Sequence, residues 1–312
     1  MKIPRSTQEM IPVKHILNDG TFVLDSGEYS KMFAFTDINY TELRDEEKMR
    51  RLVDYSALLN SIDKGIYAKI SIFFRPIRQE QFERDVLIPM NPEDELDDYR
   101  ENMNTVLREQ VRGTLGMTKQ AYLTITAGRR NDEDAAAFFA RVEGNLISSF
   151  QALGVELRAV PLSERLRLLH DIYRPGLEET FRYDAHAEKK LGMNWKDSIA
   201  PLSAEALNSC THLKIGGRYC KTLFLNAYPI YLNDRIVSDI ASIGKPMIFT
   251  IDFLPIPSAE AMAEAESRSM AIDTKIVNYT LHQQRNGNYS GSVPYKLMQR
   301  AAGVQEVMEA IQ

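Results

Sequence analysis

Ser26-Gly27-Glu28-Tyr29-Ser30-Lys31, followed by Met32-Phe33-Ala34-Phe35, has a counterpart late in the chain: Gly216-Gly217-Arg218-Tyr219-Cys220-Lys221, followed by Thr222-Leu223-Phe224-Leu225. Each block leads through a helical stretch to a second matching pair. The first is Ser61-Ile62-Asp63-Lys64-Gly65 with a strand ending Phe74-Arg75-Pro76-Ile77. The second is Ser242-Ile243-Gly244-Lys245-Pro246 with a strand ending Phe253-Leu254-Pro255-Ile256. Two anchors in the same order predict one folding unit used twice. Their unequal spacing marks a divergent duplication, not a solenoid array.

Around the first block, Thr21 to Leu24 and Tyr29 to Phe35 read as a hairpin turning at Asp25-Ser26-Gly27. A helix from about 45 to 62 carries Leu52, Tyr55, Leu59 and Ile62 on one face. In the next strand Ala68, Ile70, Ile72 and Phe74 point one way and Tyr67, Lys69, Ser71 and Phe73 the other, until Pro76 ends it. The acidic run Glu93 to Asp98 opens a helix to about Leu115, because carboxylates favour the positive helix start, and Gly116 is its expected cap. A strand at Tyr122 to Thr126, a helix capped by Asn131, a strand at Val155 to Val160 and a helix through Tyr173 complete the lobe. Around the second block the plan is a hairpin of Thr211 to Ile215 with Tyr219 to Ala227, a helix at about 232–243, a strand at 247–254, a long helix from Ser258 to Arg285 and a last helix from Pro294 to Ile311.

Setting Pro76 against Pro255 pairs Ile70 with Phe249, Ile72 with Ile251 and Phe74 with Phe253. The expected fold is therefore α+β: two duplicated split-βαβ (ferredoxin-like) lobes, each sheet with helices packed on one face. The first lobe is residues 1–174. Residues 175–209 form a connector that packs on the lobes through Leu191 and Trp195, and the second lobe is 210–312. After Pro76 the first lobe has two more strands. After Pro255 no strand remains, so the second lobe is expected to be truncated.

Composition bounds the rest. The chain has 312 residues, 44% apolar and 26% charged, the balance of an ordinary globular protein. A net charge of −5 argues against a whole-surface affinity for nucleic acid or anionic lipid. Cys210 and Cys220 match no zinc spacing and fit a reducing compartment. The start Met1-Lys2-Ile3-Pro4-Arg5-Ser6 lacks the apolar core of a signal peptide, and no run approaches 18 apolar residues. Attachment to a membrane is thus expected through partners, without direct insertion.

The motifs argue for no catalytic, cofactor-binding or metal residue. Gly216-Gly217-Arg218-Tyr219-Cys220-Lys221-Thr222 imitates the end of a phosphate loop, but Cys220 stands where Gly must precede Lys, and the segment is expected to continue as a strand rather than open a helix. His15, His170, His186, His212 and His282 have no metal-ligand spacing, and His170 beside Asp171 reads as a surface ion pair. The run Glu93 to Asp98 lacks the alternation and central Gly of a calcium loop, and Glu260, Glu264 and Glu266 read as a solvated face. Tyr67, Lys69 and Phe73, with Tyr122, could place aromatics and a base on an uncovered sheet face. The alternative function is therefore a freestanding protein that binds single-stranded nucleic acid through that face.

Several segments resemble the N-terminal region of conjugative-transfer (type IV secretion) ATPases of the VirB/TrbE/TraC type from Gram-positive conjugative elements. They are Ile11-Pro12-Val13-Lys14 through Gly27-Glu28-Tyr29-Ser30-Lys31, Tyr67-Ala68-Lys69-Ile70-Ser71-Ile72, Asn145 to Leu169, and Pro294-Tyr295-Lys296-Leu297. The resemblance implies a non-catalytic docking and assembly region at the inner face of the cell membrane. Its implied partners are inner-membrane channel components, its own C-terminal motor domain and further copies of itself. ATP and Mg are expected only in the motor domain, whose Walker motifs this sequence does not contain.

Overall fold

The computed structural model describes residues 4–36, 43–77, 79–91, 93–112, 117–186, 190, 192, 194–206, 211–226, 236–287 and 292–311. The chain is an α+β protein that divides into two compact units. One comprises Met1–Asn226 with Asp234–Phe253, the other Ala227–Asn233 with Leu254–Gln312.

The first unit opens with β1 (Val13–Ile16), β2 (Phe22–Leu24) and β3 (Glu28–Phe35), an antiparallel meander. Then follow α1 (Asp45–Asn60), β4 (Ile66–Pro76), α2 (Gln79–Asp85), α3 (Asp97–Arg112), β5 (Met117–Gly128), α4 (Asp132–Ala152), β6 (Leu157–Ala159) and α5 (Leu162–Tyr173). Later come β7 (Ala204–Ala206), β8 (Leu213–Ile215), β9 (Arg218–Cys220), α6 (Ile236–Ala241) and β10 (Met247–Phe253). The main sheet runs β1-β2-β3-β5-β4-β10, with β6 also on β3. Its stretch β6-β3-β5-β4, with α1 leading into β4 and α4 into β6, has the strand order of a split βαβ unit.

Alternation in the strands sorts the two faces. Tyr29, Phe33, Ala68, Ile70, Leu123 and Ile125 lie on one, under Leu58 of α1 and Phe138, Phe139, Leu146 and Phe150 of α4. The Asn131 side chain caps α4 by accepting from the Asp134 N–H at 2.8 Å, and the Tyr29 hydroxyl donates to Asp132 at 2.8 Å. On the other face Phe73 and Tyr122 pack with Val160 and Leu168, the last from α5. A smaller core joins Ile11, Val13 and Phe22 to Leu162, Leu166, Trp195 and Ile199. Trp195 is therefore buried against the meander, as its size demands.

Among the described residues the strands expected in a second lobe do not share a sheet. The repeated blocks do each yield a helix, a turn and a strand, α1 to β4 and α6 to β10. But β10 heads no sheet of its own: it lies antiparallel beside β4, with Phe249 opposite Ile72, Ile251 opposite Ile70 and Phe253 opposite Ala68. Two forces account for this. Phe253 extends the apolar layer beneath α1 and α4, and the eleven-residue β4 would otherwise present an unpaired edge. On the opposite face Asp252 accepts from the Tyr67 hydroxyl, a bond that pushes the phenol pKa up to about 12, and pairs with Lys69 at 3.3 Å. The other strands of the expected second lobe, β8 and β9, join β7 in a separate three-stranded sheet.

The boundary expected at residue 210 therefore falls elsewhere. The strands up to Phe253 belong with the first unit. The second unit holds two helices in mutual contact, α7 (Ser258–Arg285) and α8 (Tyr295–Ile311). The expected helix cap Gly116, the hairpin end Ala227 and the start of the 232–243 helix lie outside the described residues.

Candidate interaction surface

The connection between β4 and β5 is not a tight turn but an excursion carrying α2 and α3. Two hydrogen bonds fold it on itself: the Ile88 N–H donates to Asn104 Oδ1 at 2.8 Å, and Asn104 Nδ2 donates to the Ile88 carbonyl at 2.9 Å. Asn104 is buried by this exchange. The start of α3 is locked by Arg100, which reaches Asp94 at 2.5 Å and Asp97 at 2.7 Å. Hydrogen bonds from Arg100, then from the Leu96 N–H, outweigh the little burial there is and bring the Asp94 carboxyl down to about 2. The acidic run is thus a built helix start, with Asp97 and Asp98 in the first turn.

What the excursion presents is apolar. Leu96, Tyr99, Met103 and Val106 recur at steps of three and four, so they form one stripe along α3, and all four are exposed, Tyr99 at 73%. Val86, Ile88 and Met90 add exposed apolar surface on the segment bonded to Asn104. Single exposed apolar side chains are ordinary on a protein surface, whereas a contiguous group marks a contact site. The spacing was available in the sequence; the acidic residues interleaved with it make the segment read as solvated.

The nucleic-acid platform is not open as expected. Phe73 and Tyr122 are buried, meeting edge to face at 5.3 Å beneath α5. On that face Tyr67 and Lys69 stay partly exposed, both engaged with Asp252. Two aromatics needed for base stacking are therefore inside the protein.

The remaining sequence candidates are scattered. Gly216 and Gly217 form the turn between β8 and β9, Gly216 at φ +57°, a torsion a side chain disfavours. Lys221 and Thr222 follow β9 in an exposed, irregular segment, so neither the expected strand nor a helix begins there. His170 is fully buried rather than at the surface. Its Nδ1 lies 3.5 Å from Asp171, its Nε2 lies 3.4 Å from the Thr180 hydroxyl, and Phe181 packs on the ring. His15 lies 3.9 Å from Asp132, and His212 packs on Tyr219. Glu264 pairs with Arg268 on α7. Among the described residues, no three His, Cys, Asp or Glu side chains cluster as a metal site would require, and no helix is long and apolar enough to cross a membrane. No family model matches this chain, and no curated protein matches it.

Proposed function

We propose that this chain is a non-catalytic docking and assembly module, acting as its resemblance to conjugative secretion ATPases implies. It recognises inner-membrane channel components and so holds a motor domain at the inner face of the membrane, where ATP and Mg would be used by that domain. The observation that carries this reading is the exposed stripe Leu96, Tyr99, Met103 and Val106 on α3. An apolar helix face displayed on an excursion from a rigid sheet is the form that helix-in-groove recognition takes.

Replacing Tyr99 by a photo-crosslinking amino acid in a host carrying the conjugative channel tests it. The expected result is an adduct with an inner-membrane channel protein, together with a loss of DNA transfer in Tyr99→Glu/Met103→Glu. Normal transfer in that variant, or salt-sensitive binding of single-stranded DNA by the isolated chain in its place, would overturn the reading.

A further inference from the structure

We propose that α7 is a self-association helix, pairing antiparallel with α7 of a second copy of this chain. This goes beyond the docking role and does not depend on it. Helix α7 is 28 residues long and carries one apolar stripe and, opposite it, a stripe that mixes small residues with apolar ones. Met262, Ala265, Ile272, Ile276 and Tyr279 are the covered one, spaced by three, four or seven residues. The partly covered positions of α8, Leu297, Ala301, Val304, Met308 and Ile311, follow the same rhythm, so the two helices share a seam of coiled-coil type.

The second stripe is Ala263, Ser267, Met270, Thr274, Val277 and Leu281. It repeats strictly at four and three residues and lies on the far side of α7 from that seam. Every one of its positions is exposed, Met270 at 64% and Val277 at 54%.

Its side chains say what covers it. The small residues, Ala263 and Ser267, stand in its first half, and the large ones, Val277 and Leu281, in its second. Antiparallel pairing with an identical helix about a two-fold axis near Ile272 sets Ala263 against Leu281, Ser267 against Val277, and Met270 against Thr274. Small meets large at each layer. Parallel pairing would set Leu281 on Leu281 and leave a gap at Ala263.

Charge selects the same arrangement. The first half of α7 carries Glu260, Glu264 and Glu266 against Arg268 and is acidic on balance, while the second carries Lys275 and Arg285 against Asp273 and is basic on balance. The companion helix repeats this by position: Lys296 and Arg300 lie near the turn, Glu306 and Glu309 away from it. The hairpin is therefore basic at its turn and acidic at its open end. Two copies attract only when antiparallel, the self-complementary geometry of a two-fold dimer. A stripe of six positions is a small interface, so the dissociation constant is expected on the order of micromolar.

Sedimentation equilibrium of the full chain should show a monomer–dimer equilibrium in that range. Val277→Glu/Leu281→Glu places carboxylates in the contact and should raise the dissociation constant on the order of a hundredfold or more, with helix content by circular dichroism unchanged. Orientation is read by disulfide trapping in a Cys210→Ser/Cys220→Ser background. A mixture of Ala263→Cys and Leu281→Cys chains should crosslink, and Leu281→Cys alone should not. A chain that stays monomeric at about a hundred times the expected constant, a dimer indifferent to the glutamates, or a Leu281–Leu281 crosslink would each overturn the proposal.

Discussion

Arg165 shows how much of this fold rests on single polar side chains. It is buried, yet each of its terminal nitrogens is used: Nη1 donates to the Gly20 carbonyl at 2.9 Å and to the Ser30 carbonyl at 2.6 Å, and Nη2 donates to the Ser30 hydroxyl at 2.8 Å. Its guanidinium stacks on Phe22 at 3.8 Å, and burial brings its pKa down to about 9. Gly20 makes this possible, since its φ of +85° turns the chain and a Cβ there would stand 2.6 Å from the Val160 carbonyl. His170, on the same helix, is buried without comparable compensation. Burial lowers its pKa, and this outweighs the opposing pull of the Asp171 carboxylate, which Arg75 engages at 2.8 Å. In the unfolded chain it titrates near 6.5. Between that value and the lower folded one, the unfolded state binds more protons, so stability falls as pH falls through that window and this group takes no more below it. Urea midpoints measured from pH 7.5 downward should drop once pH passes below about 6.5. In His170→Gln that part of the drop should vanish.

Strand β10 is the element whose placement the sequence misleads about. Its alternation was legible, and so were its length and its start after Gly244-Lys245-Pro246. The partner was not, because strand pairing is decided by open edges and by which apolar faces join, and local patterning carries neither. A sequence repeat reads as a second lobe when each copy can complete its own sheet. Among the described residues no strand follows β10, and it pairs with the edge of β4. The helices α4, α5, α7 and α8 were legible for the opposite reason, since their period is local, and in α4 the Asn131 cap marks the start as well. The α3 stripe was legible as spacing but not as a surface, because burial depends on what a helix packs against. Phe74 and Phe253 separate the two accounts of β10. The repeat sets the two as equivalent positions. Phe74 is buried at 5% exposure, whereas Phe253 is half-buried at the margin of the layer under α1 and α4. Phe74→Ala should cost about 3–5 kcal/mol, as a core phenylalanine does, and Phe253→Ala roughly half of that. Denaturant midpoints showing equal losses would return Phe253 to a core of its own.

The sheet unit carries the exposed α3 stripe and the second unit the exposed α7 stripe. That distribution bears on the nearest approach to a nucleotide motif in the sequence. A phosphate loop holds its anion with backbone amides that wrap it at glycine torsions and with the positive end of the helix that follows the lysine. In Gly216-Gly217-Arg218-Tyr219-Cys220-Lys221-Thr222 the glycines are spent on the β8–β9 hairpin turn, the next three residues are strand β9, and Lys221 leads into an irregular exposed segment. The amides of Arg218 to Cys220 belong to a strand and do not wrap a common centre, so Lys221 has no cradle to complete. Isothermal titration calorimetry of this chain with Mg-ATP should accordingly show no micromolar binding, and Lys221→Ala should leave the trace unchanged. Micromolar binding that disappears in Lys221→Ala would mean that this segment rearranges around nucleotide.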